Sequence, residues 1–283
     1  TSATLKVRDP NDATAPTVVL DATNGDPLLR DGVIRGSVLD SNLDQWTLEI
    51  QRLGGETFQT VASGDGSVNH GPLAVLDVAT MPNGFYVLRL TARDIGRRLA
   101  RTEAVIELRT AEKRAYERVE TALIATLGST TVIVSRKYDS TRRDIEGKFG
   151  FGWRLLNREL DIRTSTVPTG HEDQGLYSPY RVGTRLYLSA PNGDEVGFVF
   201  NPVRHQQPGV AYYTPAWDLL PGSPTGWVLA TPELKLMKAG SLLFDFATGR
   251  PYNPESPFFQ GVDFTLTGPD GTTRGLQLSA DGR

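Results

Sequence analysis

The segment FYVLRLTARD, residues 85–94, sets Tyr86, Leu88, Leu90 and Ala92 on one side and Arg89, Thr91 and Arg93 on the other. A side-chain period of two is what a strand with one buried and one wet face requires. The pattern returns along residues 16–108. Ile34, Gly36 and Val38 share a face in VIRGSVLD, and Trp46, Leu48 and Ile50 alternate with Thr47, Glu49 and Gln51 in QWTLEIQRL. TFQTVAS, PLAVLDV and RTEAVIEL follow, separated by turn signals such as Asn83-Gly84 and Asp94-Ile95-Gly96. Roughly seven short strands in such a span is the count of an immunoglobulin-like sandwich. Trp46 suits the buried core tryptophan of that fold, and Tyr86 sits where a tyrosine corner would be.

The sandwich is therefore expected over residues 14–110. Residues 1–13 read as the last strand of a preceding domain (Ala3, Leu5, Val7) and a linker. The chain opens TSATLKVRDPNDATAP, with neither an initiator Met nor a basic-then-apolar leader, and is expected to be a piece of a longer protein. Residues 111–127 fit two periods. Tyr116, Val119, Leu123 and Leu127 share a helical face, whereas Val119, Thr121, Leu123, Ala125 and Leu127 share a strand face. The β-branched run TTVIVSRKYD after Gly128 favours a hairpin across that glycine, and a short helical start over 111–116 stays open.

A second domain is expected over residues 111–283; from residue 130 onward it reads as β throughout, with an internal echo. LSAPNGDEVG at 188–197 returns as LTGPDGTTRG at 266–275, each copy with an Asn-Gly or Asp-Gly turn between alternating runs. The chain holds 29 glycines and 18 prolines, about one residue in six against a background near 12%, as many short strands demand.

Composition narrows the chemistry. A net charge of −3 with both signs interspersed offers no basic stripe for nucleic acid. No apolar run reaches the roughly 18 residues of a membrane span. Zero cysteines exclude disulfides, thiolate metal ligands and thiol nucleophiles. His70, His171 and His205 lie far apart in polar or Pro/Gly-rich stretches and read as solvated loop residues. No nucleophile elbow or phosphate-cradling loop is present. Asp40, Asn42 and Asp44 begin like a calcium loop, but Gln45 stands where a glycine is required and Gln51 where a Glu is required. A turn capped by Asp and Asn side chains explains the run as well. Glu159 and Asp161 alternate on one strand face, the arrangement a glycosidase would need in a cleft and any outward face supplies. Tyr177, Tyr180, Tyr187, Tyr212, Tyr213, Trp217, Trp227 and Tyr252 crowd the second half, where packing is a better account than sugar stacking. No catalytic residue, metal or cofactor is expected.

One stretch combines glycines with large rings: YDSTRRDIEGKFGFGWRLLNRELDI. Here Arg136, Tyr138, Asp139, Ser140, Gly147, Phe149, Gly150, Gly152, Trp153 and Leu155 stand in a pattern that resembles the opening of the Rhs/YD-repeat region. Agreement continues through GTRLYLSAPNGDEVGF, YYTPAW, FDFATGRPYNP and FTLTGPDGTT, so it covers about residues 119–283. The preceding sandwich is similar to modules found upstream of such shells. The resemblance implies a strip of β-sheet that coils into a hollow cocoon, enclosing a C-terminal toxin or effector in bacterial members. Few clear YD-repeats, no DPxG-type self-cleavage signature and no toxin domain are present.

On this reading the chain is the non-enzymatic opening wall of a secreted or bacterial cell-surface shell. Its partners would be the remaining shell and the effector. The alternative is an adhesin module for a cell-surface glycan or protein. Two structural expectations follow. Phe149 and Trp153 should pack a corner that the glycines let the sheet turn. The last hairpin should carry a partly open face of Phe264, Leu266, Leu276 and Leu278 and end either frayed or paired with another chain.

Overall fold

The computed structural model describes residues 9–22, 26–28, 32–109, 116–128, 130–140, 143, 146–147, 149–155, 162–190, 195–256, 259 and 264–276. Among them the regular elements are strands, apart from 3-10 turns at Ser140 and at Glu172–Gln174. The chain is all-β, and it divides into two compact units, Thr1–Arg114 and Ala115–Arg283.

The first unit holds β1 (Thr17–Leu20), β2 (Asp26–Leu28), β3 (Val33–Leu39), β4 (Leu43–Arg52), β5 (Gln59–Gly64), β6 (Val68–Val75), β7 (Gly84–Asp94) and β8 (Leu99–Leu108). One sheet runs β1-β3-β6 and the other β2-β8-β7-β4-β5. The chain crosses between sheets after β1, β2, β3, β5 and β6, and β2 lies parallel to β8. This is an immunoglobulin-like sandwich. Ile34 and Val38 from one sheet meet Leu48, Leu88, Leu90 and Ile106 from the other, all of them fully buried. Trp46 is buried on β4, its indole N–H donating to the Gly66 carbonyl at 3.0 Å. The Tyr86 hydroxyl donates to the Pro82 carbonyl at 2.7 Å, the backward bond that defines a tyrosine corner.

β6 starts earlier than its sequence suggests. His70 holds a φ of 44°, its amide donates to the Ser37 hydroxyl, and the β3–β6 register shifts beside it. This bulge hides a strand behind the turn-like run SVNHG. His70 and His205 thus sit in strands rather than in loops, whereas His171 leads into the 3-10 turn at Glu172–Gln174.

The second unit opens with a long hairpin. β9 (Glu117–Leu127) pairs antiparallel with β10 (Thr130–Asp139) across Gly128, as expected; the 111–115 stretch lies outside the described residues. Short strands follow: β11 (Glu146–Gly147), β12 (Gly150–Phe151), β13 (Trp153–Leu155), β14 (Ile162–Thr164), β15 (Arg185–Ser189), β16 (Glu195–Phe200), β17 (Val203–Gln207) and β18 (Val210–Thr214). β19 (Trp217–Leu219), β20 (Val228–Ala230), β21 (Leu236–Ala239), β22 (Leu242–Asp245), β23 (Phe264–Thr267) and β24 (Thr273–Leu276) complete it. They form the sheets β13-β10-β9, β11-β12, β14-β15-β16-β19, β17-β18-β21-β22 and β20-β23-β24, all antiparallel.

The internal echo has a structural meaning. Its two copies are the hairpins β15–β16 and β23–β24. Leu186, Leu188 and Phe198 of the first fall at the same positions as Phe264, Leu266 and Leu276 of the second, and all six are buried in one cluster. That overturns the expected open face at the chain's last hairpin. Phe264, Leu266 and Leu276 have a partner, the earlier copy of the same hairpin; Leu278 lies outside the described residues. A second cluster gathers Tyr180, Phe200, Leu236, Leu243 and Tyr252, and Trp217 borders both.

Candidate functional site

The motif residues converge on β10 and β13. Tyr138 pairs with Trp153 across the strands, their rings 5.4 Å apart and tilted by 55°. Tyr116 continues the row, 6.1 Å from Tyr138 at 58°. The Arg136 guanidinium lies over the Trp153 ring at 4.5 Å and donates twice to one carboxylate oxygen of Glu120, at 2.7 and 3.1 Å. Glu120 also takes Arg118 at 2.6 Å, and the Arg136 bonds hold its carboxyl below the usual range. The Asp139 amide donates to the Gly152 carbonyl, and Ser140 bonds Tyr116 through both its hydroxyl and its backbone N–H.

The glycines here are required by contact. A Cβ on Gly147 would stand 2.1 Å from the Trp153 carbonyl oxygen. Gly152 has a φ of 76°, and a Cβ there would fall 2.7 Å from the Tyr138 ring. Backbone therefore packs directly on ring and carbonyl, which only glycine allows. Phe149 departs from expectation: it stands 40% exposed, and Phe151 beyond it is 58% exposed. The corner is packed by Tyr138 and Trp153, because the ring at 149 sits in the β11–β12 turn, one residue from the pair Gly147–Gly150. Tilted rings and bonded charges make this a lock between strands. A flat platform for a sugar would need coplanar faces.

The second constellation lies at one end of the sandwich. Of Asp40, Asn42 and Asp44, the first two join one cluster and Asp44 does not. Asp40 accepts the Asn42 amide at 2.6 Å as a turn cap, while Asp44 turns to Arg93 at 2.8 Å. The carboxylates that gather are Asp12, Asp40 and Asp94, with oxygens all within 4.8 Å of one another. Arg98 supplies the cation among them. It donates to Asp94 at 2.7 Å, to the Asp12 carboxylate at 3.1 Å and to the Asp12 carbonyl at 2.6 Å. Asn42 donates to Asp12 at 2.8 Å, and this bond with those of Thr14 pulls the Asp12 carboxyl down to about 2. Burial pushes Asp94 up, but the Arg98 bonds outweigh it and hold that carboxyl low. Asp12 and Arg98 lie 86 residues apart, so no local sequence signal could pair them.

The aromatic crowd of the second half is buried or half-buried. Tyr180, Phe200 and Tyr252 are fully buried, with Trp217 edge-on to Tyr180 at 5.7 Å. The Tyr180 hydroxyl donates to the Glu255 carboxylate, and burial drives the phenol's ionisation well upward. Glu159 and Asp161 lie outside the described residues.

No protein-family model and no curated protein sequence matches the chain. Among solved structures, the extracellular domain of protocadherin gammaB4 aligns with 95% of this chain at 15% identity and a TM-score of 0.23. The chain spans about half of that structure, 49% of its length. A similarity this low carries no argument; the fold assignment rests on the sheet order and the shared core of the sandwich. Among the described residues no helix is long and apolar enough to cross a membrane.

Proposed function

We propose that the chain is a non-enzymatic wall segment of a secreted or surface Rhs-type shell, with its sandwich as an accompanying module. The observation that carries this reading is the β9–β10 ribbon. Val119, Leu123, Ile124 and Ile133 are each more than half exposed along it, and they occupy both of its faces. Among the described strands only β13 adds to that ribbon, on the β10 side. An apolar strip of sheet of this kind is suited to being covered by further sheet, as a coiled β-wall would do. The interlocked Arg136–Tyr138–Trp153 corner supports the same reading, since it spends the motif on fastening strands. The succession of small antiparallel sheets after residue 162 is how a long wall would be assembled.

The experiment that tests the non-enzymatic part uses the purified chain. A panel of glycoside and peptide substrates should give no turnover, and an array of cell-surface glycans should give no specific binding. Turnover abolished by a single carboxylate substitution would replace this reading with a hydrolase. Saturable glycan binding would replace it with the adhesin.

A further inference from the structure

Residues 9–16 precede β1, and in the sequence those up to residue 13 read as the end of a preceding domain and a linker. In the structure they are tied to the sandwich at several points. The Asp12 carboxylate is saturated. One oxygen accepts the Thr14 amide at 3.0 Å and its hydroxyl at 2.8 Å; the other accepts Asn42 and Arg98. Asn42 also accepts the Asp9 amide at 3.4 Å, and Asp9 folds the segment by taking the Asn11 amide at 2.8 Å. Arg98 is itself fixed by the β7–β8 turn, where its own amide donates to Asp94 at 2.7 Å. Two loops of the sandwich, the β3–β4 turn and the β7–β8 turn, thus grip one strap from either side.

We propose that residues 9–16 form a latched strap, with Arg98 as its lock, which fixes the direction in which the chain enters the sandwich and opens under acid or high salt. The physical basis is a cation whose planar fork satisfies Asp94 with one edge and Asp12 with the other. The groups facing it are Asp12 on the strap, Asp40 on the β3–β4 turn and Asp94 on its own turn, with Asp44 engaged by Arg93. Arg98 is partly exposed, so salt screens the lock. The acid direction follows from Asp12 and Asp94, whose carboxyls are held below their ordinary range. Such groups favour the closed state above the ordinary carboxylate range near 4 and lose that contribution as pH falls toward the folded value.

Amide hydrogen exchange on the full chain at neutral pH tests this. In the wild type the Asn11 and Asp12 amides should be protected. Arg98→Ala and, independently, Asp12→Ala should each speed exchange at positions 11 and 12 about tenfold or more, with Leu48 and Leu88 unchanged. Arg98→Lys should fall between, lacking the fork, and 1 M NaCl should move the wild type the same way. Unprotected strap amides in the wild type would overturn the proposal, as would unchanged exchange in both alanine variants. Where Arg98→Ala also loosens Leu48 and Leu88, Asp12→Ala decides. If it too loosens them, these groups are general supports of the sandwich and the strap is no latch.

Discussion

Trp217 holds the most exposed weakness of the interior: its indole N–H is buried with no hydrogen-bond partner among the described residues. A buried unsatisfied donor costs about 1–3 kcal/mol, and removing it together with its polarity recovers that cost. The ring itself is useful, since it meets Phe200 at 5.2 Å and Phe264 at 6.0 Å. Trp217→Phe keeps an aromatic there and removes the orphan, so the loss of ring volume and the gain from the missing N–H should nearly cancel. We expect a change in unfolding free energy within about 1 kcal/mol, read from urea midpoints. A loss near the ~3–5 kcal/mol of a Trp→Ala truncation would mean that lost ring packing outweighs relief of the orphan N–H. The opposite case is Gly147, whose hydrogen faces the Trp153 carbonyl so closely that any side chain must displace backbone.

Hairpins are the elements in which the outcome differed most from the sequence. Alternation alone places β4, β7 and β8 on the correct faces, because each has one wet side and the period-2 signal is local. Burial at β23–β24 was not legible, since it depends on β15–β16, 78 residues earlier, and a hairpin read alone shows only which face is apolar. The strap was hidden for the same reason, its lock lying 86 residues downstream. The β6 bulge at His70 was masked by polarity. The motif at 136–153 was better foreshadowed: clustered glycines among rings signal close approach, although not which ring would fill the corner. The corrected account of the last hairpin has a measurable consequence. Leu266 is 1% exposed. Leu266→Ala should therefore cost about 2–5 kcal/mol, as an interior truncation does. An open face would make it a surface change, within about 0.5 kcal/mol in the same urea titration.

At the scale of the whole molecule, each unit has its own interior. Among the described residues, the buried core of the sandwich runs from Leu20 to Leu108, and buried clusters of the second unit run from Leu186 to Leu276 and from Tyr180 to Tyr252. Along the β9–β10 ribbon of the second unit four large aliphatic side chains stand more than half exposed. The wall segment proposed above would cover that surface with further sheet. The shell reading is tested most directly by electron cryomicroscopy of the complete gene product. The account predicts a hollow particle in which residues 162–276 lie within the wall and the β9–β10 ribbon is covered by neighbouring strands. A string of separate modules, or a compact particle without a cavity and with the ribbon facing solvent, would contradict it.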